Sequence, residues 1–210
     1  MHFAELGAVT IDGYGTLLRL EDPIRALGEA LAAHGVERNS PEIEAAFRAE
    51  AGYYRPRSYL GRDEPSLARL RLECVGVFLD ALGSPLDPAD FVGSFIDALV
   101  FEPIAGAEAM LQELRGRGLP LAVVANWDCA LPGHLDRAGL SRYFETVVTS
   151  ARAVAAKPDP SIFSLALTEL GAVPERAVHV GDEPLDEAGA RAAGLRFLPA
   201  PLSTAFEGWS

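Results

Sequence analysis

Cysteine is scarce: Cys74 and Cys129 are the only two in 210 residues. One bridge between them is chemically open, but two cysteines this far apart read as buried thiols of a reducing compartment. No C-x-x-C pair occurs, so the usual zinc-site spacing is missing. Positive charge is also short. Lys and Arg total 18 against 30 Asp and Glu, a formal net charge of -12. That balance excludes a nucleic-acid partner, because neutralising phosphates needs a basic patch. No apolar run approaches the ~20 residues of a membrane span. The N-terminus, MHFAELGAVTIDGYG, lacks a basic region followed by a long apolar run, so no signal peptide is read. These absences together predict a soluble, cytoplasmic protein with no membrane partner. Neither an internal repeat nor a low-complexity tract is visible.

What is present is ordinary globular material: 49% hydrophobic and 23% charged residues, enough for a sizeable core. The length suits one large domain, or a core domain with a smaller insert.

The apolar pattern favours the insert. Ala8 to Ile11 is a short apolar run that stops at Asp12 and is broken by Gly13 and Gly15, a buried strand entering a loop. From about Glu21 to Leu99 the spacing turns helical. Ile24, Leu27, Ala30 and Leu31 mark one helix, and Ile43, Ala46 and Phe47 a second. A longer third helix carries Leu67, Leu70, Val75, Phe78 and Leu79, and a fourth carries Phe91, Phe95, Ile96 and Leu99. After Pro103 strands and helices alternate: helix Ala107–Arg117, strand Leu119–Ala125, helix Leu131–Ala138, strand Thr146–Thr149, helix Pro160–Leu170, strand Ala177–Val180, helix Asp186–Ala193 and strand Leu195–Leu198. Apolar strands alternating with helices imply a parallel sheet covered on both faces. The expected organisation is an α/β core from residues 1–18 and 100–210, with residues 19–99 inserted as a helical-bundle cap.

Open parallel sheets bind ligands beyond the carboxyl ends of their strands. At those ends stand Asp12, then Asn126 with Asp128 close by, then Lys157 in the loop after Thr149, then Asp182 with Asp186 four residues on. Three carboxylates converging on one edge would repel one another. Lys157 supplies one positive charge; a bound Mg²⁺, which prefers oxygen ligands, would supply two more. Any single Asp here is readily explained as a helix cap or strand terminator. The whole set at successive strand ends is harder to dismiss.

Four segments resemble the haloacid dehalogenase superfamily. Asp12-Gly13-Tyr14-Gly15-Thr16-Leu17 is similar to its opening D-x-[DY]-G-T-L motif, and Val123 to Asn126 to its second motif, a strand ending in Ser/Thr-Asn. Lys157-Pro158 through Phe163 resembles its K-P-x-x-x-F segment. His179-Val180-Gly181-Asp182 through Asp186, with the following helix to Gly194, resembles its acidic fourth motif. The resemblance implies a Rossmann-like core with a helical cap and a small anionic substrate. It makes Asp12 the nucleophile, forming a covalent intermediate that water hydrolyses. It has Asp12, the Tyr14 carbonyl and Asp182 hold Mg²⁺, with Asp186 binding directly, through water, or only by orienting Lys157. Lys157 offsets charge near the nucleophile. Asn126 and nearby N–H groups bind phosphoryl oxygens, with Thr16 and Trp127 counted among the substrate-facing residues.

Two positions depart from the phosphate-ester pattern. Tyr14 stands where those members carry a second Asp that protonates the leaving oxygen. A phenol, with an ordinary pKa of ~10, is a poor general base, and losing a positioned acid/base typically costs ~10²–10⁴-fold. Tyr at this position is typical of the metal-independent 2-haloacid dehalogenases, yet Gly181-Asp182 is the metal-holding form of the fourth motif. Ala125 replaces a Ser or Thr whose hydroxyl is worth about 1–3 kcal/mol when charge-assisted. Three readings follow: a Mg²⁺-dependent phosphatase, which is preferred; a 2-haloacid dehalogenase; and a catalytically silent binding or regulatory protein. A monomer or a homodimer fits each.

Other residues have plainer readings. The Tyr53 to Tyr59 cluster of aromatic and basic residues reads as a helix end with a solvated loop, or as an anion reader in the cap. Trp127 either walls a pocket or packs. His179 reads as a satisfied core histidine, His134 as a helix-surface residue, and Glu183 as exposed beside Asp182.

Overall fold

The computed structural model describes residues 2–210. In chain order the elements are β1 (Ala8–Ile11), β2 (Leu18–Leu20), α1 (Pro23–Ala33), α2 (Ser40–Tyr54), α3 (Glu64–Ala81), α4 (Pro88–Ala98), β3 (Phe101–Pro103) and α5 (Ala107–Gly116). Then come β4 (Leu121–Ala125), α6 (Leu131–Arg137), β5 (Thr146–Thr149), α7 (Ser150–Ala153), α8 (Ser161–Leu170), β6 (Ala177–Gly181), α9 (Pro184–Ala192) and β7 (Arg196–Pro199). Two compact units result: the chain up to Arg19 together with Glu102–Ser210, and Leu20–Phe101.

In the first unit five strands form one sheet in the order β5-β4-β1-β6-β7. Every pairing is parallel. Both faces are covered, which explains the unbroken apolar runs. Ala8, Ala122, Val124, Val148 and Ala177 pack with Ile162 and Phe163 of α8 and Ala190 of α9. The alternate residues Val9, Ile11, Val123, Val178 and Val180 point to the other face and are fully buried too. Strand order reverses at β1, so ligands are expected beyond its carboxyl end.

The second unit is a set of four helices with its own core of Leu27, Leu31, Ile43, Val75, Phe78, Leu79, Phe91 and Phe95. Local chemistry marks its boundaries. Asn39 caps α2 and Glu42 returns the bond in a capping box; Asp63 and Ser66 do the same for α3. The Tyr53–Tyr59 cluster is the end of α2 running into a 3-10 turn, Arg55–Leu60. There the Arg57 guanidinium lies 3.9 Å from the centre of the Tyr53 ring and also donates to the Tyr53 carbonyl at 3.0 Å.

The sequence reading did not include β2 and β3, which pair with each other as a short ribbon. Three residues each is too short for a period-two pattern. No helix among the described residues is long and apolar enough to cross a membrane. Cys74 is buried in the helical unit and Cys129 is half-buried in the sheet unit; both remain thiols.

Candidate active site

Three neighbouring strands deliver the polar residues. β4, β1 and β6 are adjacent and parallel, and they end at Asn126, Asp12 and Asp182. Asp12 continues the ladder by one bond, its N–H donating to the Val180 carbonyl at 2.9 Å. The chain then turns back sharply, as the Gly13 carbonyl accepts from the N–H groups of Leu17 (3.0 Å) and Leu18 (2.9 Å). Gly15 sits at φ +87°, and a Cβ there would lie 2.1 Å from Asp182 Oδ2. This loop therefore lies directly against the acid that follows β6, and only glycine fits.

Lys157 reaches the same place from the loop before α8. Its ammonium donates to Asp12 Oδ1 and to Asp186 Oδ1, and all three side chains are buried. The Asn126 side chain fixes the backbone of that lysine: Oδ1 accepts the Lys157 N–H at 2.7 Å and Nδ2 donates to the Lys157 carbonyl at 3.1 Å. The resemblance assigns Asn126 to phosphoryl oxygens. Most of its amide is instead committed to holding Lys157, which leaves one N–H of Nδ2 for another partner.

Asp186 both caps a helix and pairs with the buried lysine. α9 starts at Pro184, two residues before the start read from sequence, and Asp186 is its third residue. Asp186 Oδ2 accepts the Glu183 N–H at 3.0 Å in a capping box, while Oδ1 holds Lys157. The buried ring of His179 is bonded on both sides: Nε2 lies 3.1 Å from Asp186 Oδ1, and Nδ1 lies 2.9 Å from Thr10 Oγ1. The sequence reading kept His179 as a satisfied core histidine, which it is, and left out its contact with the acidic cluster. The available signal was two polar residues, Thr10 and His179, interrupting strands that are otherwise apolar.

Of the remaining residues singled out, Trp127 is buried, with its indole 3.5 Å from where a Gly13 Cβ would stand. Thr16 is fully buried and its hydroxyl has no hydrogen-bond partner. Tyr14 is 42% exposed, so its phenol is not packed into the buried cluster. Asp182 is exposed, and Glu183 is half-buried as the N-cap of α9.

Charge is unbalanced here. One oxygen each from Asp12, Asp182 and Asp186 lie within 4.8 Å of one another, and among the described residues Lys157 is the cation paired with them. Three carboxylates and one ammonium leave a formal excess of two negative charges. Burial pushes Asp12 up to about 7; the Lys157 charge pulls it down only in part, and the Asp186 charge adds to the rise. Burial also pushes Asp186 up. The His179 hydrogen bond and the Lys157 charge outweigh that and hold its carboxyl well below the usual range. Lys157 stays charged, since its two carboxylates outweigh burial. Burial holds His179 below its ordinary value, hence neutral. Burial, then the Asp186 charge, raises Asp182. The crowding of negative charge thus shows at Asp12 and Asp182, the two carboxyls that are raised.

The model of haloacid dehalogenase-like hydrolases matches residues 6–194. Haloacid dehalogenase-like hydrolase domain-containing protein 3 of Homo sapiens is 35% identical over 210 aligned positions, covering 92% of this chain and 81% of that protein. The plasmid-encoded phosphoglycolate phosphatase of Cupriavidus necator is 34% identical over 196 positions, covering 90% of this chain and 78% of that protein. Among solved structures, the HAD-hydrolase YfnB of Bacillus subtilis, bound to magnesium, superposes with a TM-score of 0.72 at 17% identity, covering 91% of this chain and 87% of that one. The chain belongs to the haloacid dehalogenase-like hydrolases.

Proposed function

We propose that this hydrolase is a Mg²⁺-dependent phosphatase that cleaves small phosphorylated metabolites through an aspartyl phosphate on Asp12. The observation that carries the reading is the charge imbalance: three carboxylates around one buried lysine, with oxygen the only donor type. Oxygen-only donors with a residual charge of two fit Mg²⁺. Asp12 and Asp182, with the Tyr14 carbonyl, would hold the ion. When bound, it supplies the charge that keeps Asp12 ionised and neutralises phosphoryl oxygens. Phosphatase relatives and a magnesium-bound neighbour of the same fold support the choice.

The chain's own residues then divide the work. An oxygen of the Asp12 carboxylate attacks phosphorus, and the bond from phosphorus to the leaving oxygen breaks. Lys157 offsets the charge that gathers on the phosphoryl group, and Asn126 holds Lys157 in place. Water then attacks the aspartyl phosphate, releasing inorganic phosphate and the Asp12 carboxylate. Tyr14 offers no carboxylic acid to protonate the leaving oxygen, so esters whose leaving groups depart as stable anions should turn over fastest.

Tyr14 is also the specific observation behind a second reading, a 2-haloacid dehalogenase. Asp182 disfavours it, because an uncompensated carboxylate repels an anionic haloacid. Phosphate release from an aryl phosphate, with Mg²⁺ and with EDTA, separates the two when chloride release from 2-chloropropionate is followed alongside. Mg²⁺-dependent phosphate release, abolished in Asp12→Asn, is expected. Chloride release in EDTA would replace the phosphatase reading with the second one. No turnover across a broad panel would make the scaffold a binding protein.

A further inference from the structure

The buried histidine of β6 has polar contacts as well as packing. Thr10 and His179 are partners in the register of β1 and β6, on the sheet face covered by α8. Both are fully buried. The imidazole is held edge-to-face by the Phe163 ring, with centroids 4.9 Å apart and planes at 86°. Its two nitrogens face different partners, Thr10 Oγ1 at 2.9 Å and Asp186 Oδ1 at 3.1 Å.

Hydrogen-bond chemistry orders this chain. Asp186 Oδ1 already accepts from the Lys157 ammonium, so it is a carboxylate oxygen and only accepts. Nε2 of His179 must therefore carry the hydrogen it presents to that oxygen. In a neutral ring Nδ1 is then a lone pair and needs a donor. The Thr10 hydroxyl supplies it, in preference to the longer 3.3 Å bond it could donate to the Val178 carbonyl. Asp186 thereby receives three donors from three elements: His179 Nε2–H, Lys157 Nζ, and the Glu183 N–H at 3.0 Å. Lys157 rests between this fixed carboxylate and Asp12.

We propose that His179 and Thr10 are positioning residues: the Thr10 hydroxyl donates to Nδ1 and so supports the Nε2–H tautomer of His179, which locks Asp186 and through it holds Lys157 against Asp12. Outer-sphere partners of this kind typically change activity ~10–100-fold when removed. The role in turnover rests on the phosphatase reading; the hydrogen-bond chain does not.

Two readouts on the protein without substrate or metal test the chain itself. Long-range ¹⁵N NMR of the wild type is expected to show His179 as the Nε2–H tautomer. Carbamylation of Lys157 by cyanate, followed by peptide mass, is expected to be several-fold faster in His179→Leu and near wild-type in His179→Gln. Gln is chosen because its amide N–H replaces the Nε2–H donor. A third readout is turnover. His179→Leu should lower kcat ~10–100-fold with KM little changed, and His179→Gln should recover most of it. An Nδ1–H tautomer overturns the proposal, as does Lys157 labelling that is equal in the wild type and both variants. Gln falling as far as Leu would reduce His179 to packing. A wild type that turns over no phosphate ester removes the reaction, while the tautomer and labelling results still decide the positioning claim.

Discussion

At the residue scale, two glycines make the acidic cluster sterically feasible. Gly15 lies at φ +87° with its missing Cβ 2.1 Å from Asp182 Oδ2, and a Cβ on Gly181 would lie 2.4 Å from Asp186 Cγ. Gly35 offers a control, since it has a similar φ of +76° but nothing within 4 Å of its missing Cβ. Alanine at either Gly15 or Gly35 incurs the left-handed backbone cost, about 1–2 kcal/mol. Only Gly15→Ala should also push the Asp182 carboxylate away and weaken Mg²⁺ binding. Thermal unfolding and Mg²⁺ calorimetry on the two variants check this. Equal Mg²⁺ affinity in both would mean Asp182 does not need its present position. Gly15 was legible in the sequence as a loop breaker after β1. Its contact with Asp182 was not, because it joins distant segments of the chain and depends on strand order.

At the element scale, sequence and structure agree best where one face is buried and local chemistry marks the ends. The apolar runs gave β1, β4 and β6 nearly residue for residue, since a doubly covered strand must be apolar throughout. α9 starts two residues before the Asp186 start that the sequence pattern predicts, because Glu183 and Asp186 form a reciprocal cap around its first turn. The strand ends gave the positions of Asp12, Lys157 and Asp182, and the resemblance gave their expected roles. It did not carry the use of Asn126 as a clamp on the Lys157 backbone, a contact visible only in three dimensions. The double duty of Asp186 can be separated by substitution. Asp186→Asn keeps an oxygen for the Glu183 N–H but loses the charge that holds Lys157. Asp186→Ala loses both, and losing a helix cap adds about 1 kcal/mol of destabilisation. Both variants should lose activity, and the alanine should unfold at the lower temperature. Equal melting temperatures would show that the cap contributes nothing to α9.

At the scale of the whole molecule, each unit buries one acid that resists ionisation, and pH should act on both. Burial pushes Glu50, in the helical core, up to about 7 from its ordinary 4.5, against a smaller pull from its hydrogen bond with Cys74. Asp12 in the sheet unit is raised to about 7 as well, burial again leading. Between their ordinary values and about pH 7 the folded chain binds more protons than the unfolded one, so stability falls as pH rises through this window. Above it both acids are ionised in either state, and the Glu50 share of the loss is complete at roughly 3 kcal/mol at most. Asp186 acts with the opposite sign: its carboxyl is held low, so its stabilisation is present at neutral pH and is lost only in strong acid. Maximum stability is therefore expected on the acid side of neutrality, with the melting temperature falling from pH 5 to pH 8.5 in EDTA. Glu50→Gln should remove the helical unit's part of that fall. Mg²⁺ should remove the Asp12 part by favouring the ionised carboxylate and, as a ligand of the folded state, raise stability further. Calorimetry of the wild type and Glu50→Gln, with and without Mg²⁺, reads all four combinations. A melting temperature that climbs steadily to pH 8.5 in EDTA would mean that neither acid is held un-ionised, and the charge imbalance that argues for a cation beside Asp12 would lose its force.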